Sequence, residues 1–293
     1  MSAVLCIDIG GTRIKSAVIP ENPSLEQVKM IPPYPIRTLG WLNSSLPELL
    51  KPGAWPGMAI HYEKNPYDRI SISVPGPVDV HGNFYRPDLT DGSAKVPKQL
   101  KKAFEDASGK PVRLINDAAA WMFGFLRYKA LIVEKIEYPA LIFTFGTGVG
   151  VATATEPEVI RSFEINDHPV ESWKKLAESA GKALNQSSEV HGILGLQYFD
   201  WVEKNHPEWS YRKMREEFTS RVGGTLLDLR LTLPSNLRNF RTLAFGGGNA
   251  EYVSVRQIKQ SLGCQVVCLT DGNTGIRQDL IPLLGLEAAS RGK

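Results

Sequence analysis

Disulfide chemistry is the first thing this sequence lacks. It holds three cysteines, Cys6, Cys264 and Cys268, an odd number set mostly in strand-like apolar runs. That count does not support a stapled secreted scaffold and points to reduced thiols in a cytoplasmic protein. No apolar run approaches the ~20 residues that a membrane-spanning helix needs. The opening "MSAVLCIDIGG" has neither the basic start nor the long apolar core of a secretory leader. No membrane partner is expected. Charge of one sign is also missing: 34 Lys and Arg against 31 Asp and Glu leave a net +3, too little to argue for nucleic acid as a partner. The Walker A pattern GxxxxGK[ST] is absent. Cys264 and Cys268 stand four apart in a strand-like run with no CxxC pair, so zinc is not favoured.

What the chain does have is glycine at the ends of strands. With 293 residues it is long enough for two α/β lobes. "VLCIDIGGTRIKSAVI" (4–19) reads as strand, turn, strand, and period-two alternation puts Asp8 on the face of Val4 and Cys6. "ALIFTFGTGVGVATAT" (140–155) repeats that plan near the start of the other half. Two lobes led by glycine hairpins suggest a duplicated fold with a cleft between the copies. Further strands are expected at 69–74, 112–117, 241–245 and 264–270. Helices are expected at 96–109, from 118 to about 130, and around 171–184, 189–204, 211–230, 251–262 and 276–290. Residues 20–66 read mainly as loops, with a helix or strand among them whose place the sequence does not give. The first lobe would span residues 1–117, with a terminal helix near 277–293 packing back on it, and the second 118–276.

Each motif carries two readings. Asp8-Ile9-Gly10-Gly11-Thr12 is either a hairpin turn with a solvated carboxylate or a phosphate cradle of backbone N–H groups and a hydroxyl, with Asp8 holding hydrated Mg²⁺. Gly146-Thr147-Gly148 offers the same pair of readings, and the strand-like "VATATE" after it excludes a dinucleotide fingerprint, which needs a helix there. Gly246-Gly247-Gly248 is either tight strand-to-helix packing or room for a flat group or a phosphate. Asp117 lies where a strand meets a helix, either as an N-cap or as a general base for a substrate hydroxyl. Glu164, Asn166, Asp167 and His168 group on an expected loop, suited to sugar hydroxyls or simply solvated.

The order of these motifs is more specific than any one of them. "DIGGT", "SVPGPVD", "NDA", "GTG" and then "GGG" before a terminal helix resemble the ROK family of sugar kinases, within the actin/hexokinase/Hsp70-like ATPase superfamily, from residue 4 to about 290. The resemblance implies two ribonuclease-H-like, actin-like ATPase lobes with an interdomain cleft. It implies transfer of the γ-phosphate of ATP to a hydroxyl of a hexose or hexose derivative. Asp8, Gly10, Gly11, Thr12 and Lys15 would serve the phosphates, with Asp8 near Mg²⁺ through water. Gly146, Thr147 and Gly148 would form the second phosphate motif, and Gly246, Gly247 and Gly248 would adjoin adenosine. Asp117 would be the catalytic base, and Gly76, Asn116, Glu164 and His168 would bind the sugar. Homodimers are common in the family. Two departures stand out: the zinc loop CxCGxxGC is absent, and Asp88-Leu89 stands where the family has asparagine–leucine. The zinc-free branch includes polyphosphate-using glucokinases, which keeps polyphosphate as an alternative donor. A sugar- and nucleotide-binding sensor without catalysis is the reading from outside the enzymes.

Overall fold

A computed structural model describes residues 2–10, 13–32, 34–37, 67–75, 78, 81–83, 100–146, 149–157, 159–164, 202–233 and 235–291. The chain divides into two units, Met1–Val133 with Asp279–Lys293, and Glu134–Gln278.

In the first unit, β1 (Ala3–Ile9) and β2 (Arg13–Pro20) form the antiparallel hairpin expected around the glycine turn. Beyond β2, the short helix α1 (Leu25–Lys29) opens on a capping box made by Ser24 and Gln27, and β3 (Tyr34–Arg37) pairs back onto β2. These two elements fall in the stretch read mainly as loops, where prolines break the periodicity on which such a reading depends. On the other side, β4 (Arg69–Val74) and β5 (Val112–Asn116) join in parallel. The sheet order is β3-β2-β1-β4-β5. All seven residues of β1 are buried, because helices cover both faces of the sheet. Leu5, Ile7 and Ile9 share a core with Leu100 and Phe104 of α2 (Leu100–Ser108).

The second face receives α3 (Asp117–Leu131) and the terminal helix, designated α8 (Leu280–Ala289). These two helices meet glycine to glycine. A Cβ on Gly285 would overlap the carbonyl oxygen of Ala120, and one on Gly124 would overlap that of Ile281. The expected lobe boundary at residue 117 is therefore displaced: α3 lies in the first unit, which runs on to Val133. The physical reason is that α3 buries its small and apolar residues against α8 and the first sheet.

In the second unit, β6 (Ala140–Phe145), β7 (Val149–Glu156) and β8 (Val159–Glu164) are antiparallel neighbours. Two strands, β9 (Thr242–Gly246) and β10 (Gln265–Cys268), extend the sheet in parallel from β6. Its order, β8-β7-β6-β9-β10, repeats that of the first sheet. The weak repeat in the sequence is thus a repeat of topology. Among the described residues the helices of this unit include α4 (Tyr211–Thr232), α5 (Ser235–Arg238), α6 (Val255–Leu262) and α7 (Asp271–Thr274). A 3-10 helix (Gly248–Tyr252) precedes α6, so the helix expected from residue 251 breaks at Val253 and Ser254. Phe145 stacks on Phe245 at 5.8 Å and meets the edge of Phe218 of α4 at 5.5 Å. Each such fully buried ring contributes roughly 1.5–3 kcal/mol of transfer free energy. The helices expected at 171–184 and over most of 189–204 lie outside the described residues.

Candidate active site

The polar groups of the first unit gather at the carboxyl ends of three adjacent parallel strands. Asp8 of β1 pairs in register with Ser73 of β4, and Val74 of β4 with Asn116 of β5. In open α/β sheets this edge is where ligands bind, because strand ends and helix N-termini converge there. Asp8 is buried at 6% exposure, yet it carries an ionisable group. Its Oδ1 accepts a hydrogen bond of 2.6 Å from the Ser73 hydroxyl, itself fully buried. Lys15, its antiparallel partner on β2, brings Nζ to 3.9 Å from Oδ2. A buried carboxylate survives only with such partners.

The same arrangement tests whether Mg²⁺ fits. A water-carrying Mg²⁺ needs a fixed carboxylate oxygen that no cation has already sealed. The Ser73 hydroxyl fixes the Asp8 carboxylate, while Lys15 stands beyond hydrogen-bond distance from Oδ2, so the side chains fit the ion. Ser73 was not singled out in the sequence. Its signal was there, in the two serines of "RISISV" at alternate positions of an otherwise apolar strand.

At the end of β5 the two candidate residues separate. Asn116, not Asp117, is the N-cap of α3: its Oδ1 accepts from the N–H groups of Ala118 at 2.9 Å and Ala119 at 3.3 Å. Asp117 is the first helical residue, half-buried, with Oδ1 accepting from Ala118 N–H at 2.8 Å. The positive end of the helix favours an anion at that position. A carboxylate set there, beside the strand ends, has the form a proton acceptor requires. The helix engages the Asn116 side-chain oxygen.

In the second unit, Gly146 follows β6 directly and Gly246 ends β9. Gly247 has φ +85°, and a Cβ there would overlap the carbonyl oxygen of Phe145, the residue before Gly146. Glycine is therefore required at 247 for close packing, whatever else it does. Gly248 differs: among the described residues, nothing lies within 4 Å of where its Cβ would stand. Among the described residues, Gly248 leaves room that Gly247 does not. Glu164 is not in a loop but ends β8, where it pairs in register with Gly150 of β7. Gly11, Thr12, Gly76, Thr147, Gly148, Asn166, Asp167 and His168 lie outside the described residues. Among the described residues no cluster of three metal-ligating side chains occurs, and no helix is long and apolar enough to cross a membrane.

Comparison with known proteins adds the following. The model of the ROK family matches residues 4–163, more than half of the chain. A curated relative, the bifunctional enzyme NanE/NanK of Brucella melitensis biotype 1, is 27% identical over 162 residues, which are 55% of this chain and 28% of that protein. The chain thus matches little more than a quarter of that relative's length. Among solved structures, a ROK family glucokinase from Streptomyces griseus in complex with glucose and AMPPNP is similar in fold, with a TM-score of 0.65, 17% identity, and 99% of this chain and 100% of that one covered. An inorganic polyphosphate/ATP-glucomannokinase from Arthrobacter sp. strain KM aligns over 100% of both chains with a TM-score of 0.63 and 15% identity.

Proposed function

Because this chain belongs to the ROK family, we propose that it is a sugar kinase, transferring the γ-phosphoryl group of ATP to a hydroxyl of a hexose or hexose derivative. The observation that carries this reading is the row formed by Asp8, Ser73 and Asn116–Asp117 at the carboxyl ends of three neighbouring parallel strands. Asp8 on β1 and Asp117 after β5 stand two strand spacings apart, about 10 Å in the plane of the sheet. That separation leaves room for a phosphoryl group and an attacking hydroxyl between the two carboxylates.

In this reading Asp117 accepts the proton of the sugar hydroxyl as that oxygen attacks the γ-phosphorus, and the bond to ADP breaks. Asp8, oriented by Ser73, holds Mg²⁺ through water, and the metal neutralises charge on the phosphate oxygens when bound. Lys15 adds a positive charge beside the same carboxylate, placed to meet a phosphate that reaches the turn. The backbone N–H groups of residues 10–12 and 146–148 bind phosphate oxygens. Gly248, with open space over it, faces the nucleoside. Gly76, Asn116, Glu164 and His168 bind the sugar. The Arthrobacter enzyme, described as using polyphosphate or ATP, supports testing both donors. A cytoplasmic location and a homodimer complete the proposal.

The test is an ADP-release screen over hexoses, N-acetylhexosamines and pentoses with MgATP, repeated with polyphosphate by direct detection of the sugar phosphate. Turnover on one class of sugar, abolished in Asp117→Asn, is the expected result. Absence of turnover on every sugar with either donor would instead favour a binding protein.

A further inference from the structure

The backbone that runs from the triple-glycine turn through the 3-10 helix to Ser254 is held by three different elements. Gly247 presses on the backbone of Phe145 at the end of β6. Cys268, at the end of β10 and 5% exposed, donates its S–H to the carbonyl of Ala250 at 3.0 Å. Burial pushes the Cys268 thiol up to about 12, so it remains a protonated donor at any physiological pH. Thr219 of α4, 2% exposed, closes the other end of the 3-10 helix. Its hydroxyl donates to the carbonyl of Tyr252 at 3.3 Å and accepts from the N–H of Ser254 at 3.0 Å.

Two buried polar side chains are thus used on the backbone of residues 250–254, beside a core made mainly of phenylalanine, leucine and valine. Apolar residues of the same size would fill that core as well. What they could not do is hydrogen-bond to the Ala250 and Tyr252 carbonyls and to the Ser254 N–H. Over Gly248, nothing among the described residues lies within 4 Å of where a Cβ would stand. A turn whose following backbone is clamped, with room over Gly248 among the described residues, is preorganised to receive a ligand without being reshaped by it.

We infer that Thr219 and Cys268 are positioning residues for the nucleotide, acting through the turn Gly246–Gly248 and touching no ligand themselves. The inference rests on assigning that turn to the nucleotide. Calorimetric titration with MgATP tests it on Thr219→Val, which keeps the volume and loses the hydroxyl, and Thr219→Ser, which keeps the hydroxyl. Thr219→Val is expected to weaken MgATP binding about tenfold, on the order of one buried hydrogen bond. Thr219→Ser is expected to stay within about twofold of the parent, a rescue that a purely space-filling role would not produce. Equal MgATP affinity in Thr219→Val and the parent would overturn the inference, as would a serine variant as weak as the valine one. If Thr219→Val does not fold, Cys268→Ala decides on the same readout, with weaker MgATP binding expected and unchanged binding overturning it. Parent protein that binds no MgATP overturns the kinase reading and this inference together, whereas tight parental binding with indifferent variants overturns this inference alone.

Discussion

Asn116 and Asp117 are neighbours in the chain with separate tasks. Asn116 supplies an oxygen to the N–H groups of both Ala118 and Ala119, whereas Asp117 shares only the Ala118 N–H. The two substitutions should therefore separate stability from turnover. Asn116→Ala is expected to lower unfolding free energy by about 1 kcal/mol, the usual worth of a side-chain cap. Asp117→Asn keeps an acceptor for the Ala118 N–H, should cost only about 0.3–1 kcal/mol of charge interaction with the helix end, and should cut kcat by at least roughly 10², the low end for loss of a general base. Paired denaturant curves and initial rates check both. If Asp117→Asn keeps normal turnover, the base is another group. The dipeptide was legible as a strand-to-helix junction, because "VRLI" and "AAAW" change period on either side of it. Which of the two caps the helix was not legible, since both side chains are strong caps and one residue of register decides between them.

At the scale of elements, the helix pair α3 and α8 has the tightest requirement. Gly124 and Gly285 let the two backbones touch, and no side chain fits at either place. Gly285→Ala should destabilise the protein by about 3 kcal/mol, the upper range for overpacking, because the obstacle is the Ala120 carbonyl rather than a side chain that could turn away. Gly109 makes the comparison: it has φ +66° and open space around its Cβ position, so Gly109→Ala should cost only about 1 kcal/mol of left-handed strain. Urea unfolding of the two variants side by side measures the difference. A smaller loss at 285 than at 109 would show that the helices can slide apart at little cost. The strands at 69–74 and 140–145 were readable from alternation and apolar runs. The meeting of α3 and α8 was not, since residues 120 and 285 are distant in sequence and a glycine inside a helix announces no partner.

The molecule as a whole keeps three thiols, all buried, and burial raises each above its ordinary value. The carboxylate of Glu287 adds to the effect at Cys6. A group whose value is raised on folding holds its proton in the native state after the unfolded chain has released it. Its contribution to stability is therefore complete below the unfolded thiol value of about 8.5 and is lost as pH rises toward the folded value. Unfolding free energy should fall between pH 9 and the folded value of about 12 for Cys268. Cys268→Ala should show a shallower decline. Urea midpoints measured from pH 8 to pH 11 test the slope, and a flat profile would contradict it. At pH 8 a thiol reagent should react with none of the three in the folded protein and with all of them in denaturant.

Local chemistry was written along the chain and could be read there. Glycines after strands, an acid at a strand end and a balanced charge express preferences of single residues and short windows, and they sufficed for the α/β class, the order of motifs and the family. Contacts across long separations were a different matter. The pairing of Asp8 with Ser73, the crossing of Gly124 and Gly285 near each other's helix, and the clasp of Thr219 on Tyr252 each join residues at least 33 positions apart. Chain connectivity says nothing about such pairs, because they form only when two five-stranded sheets of the same order have brought their strand ends and covering helices together.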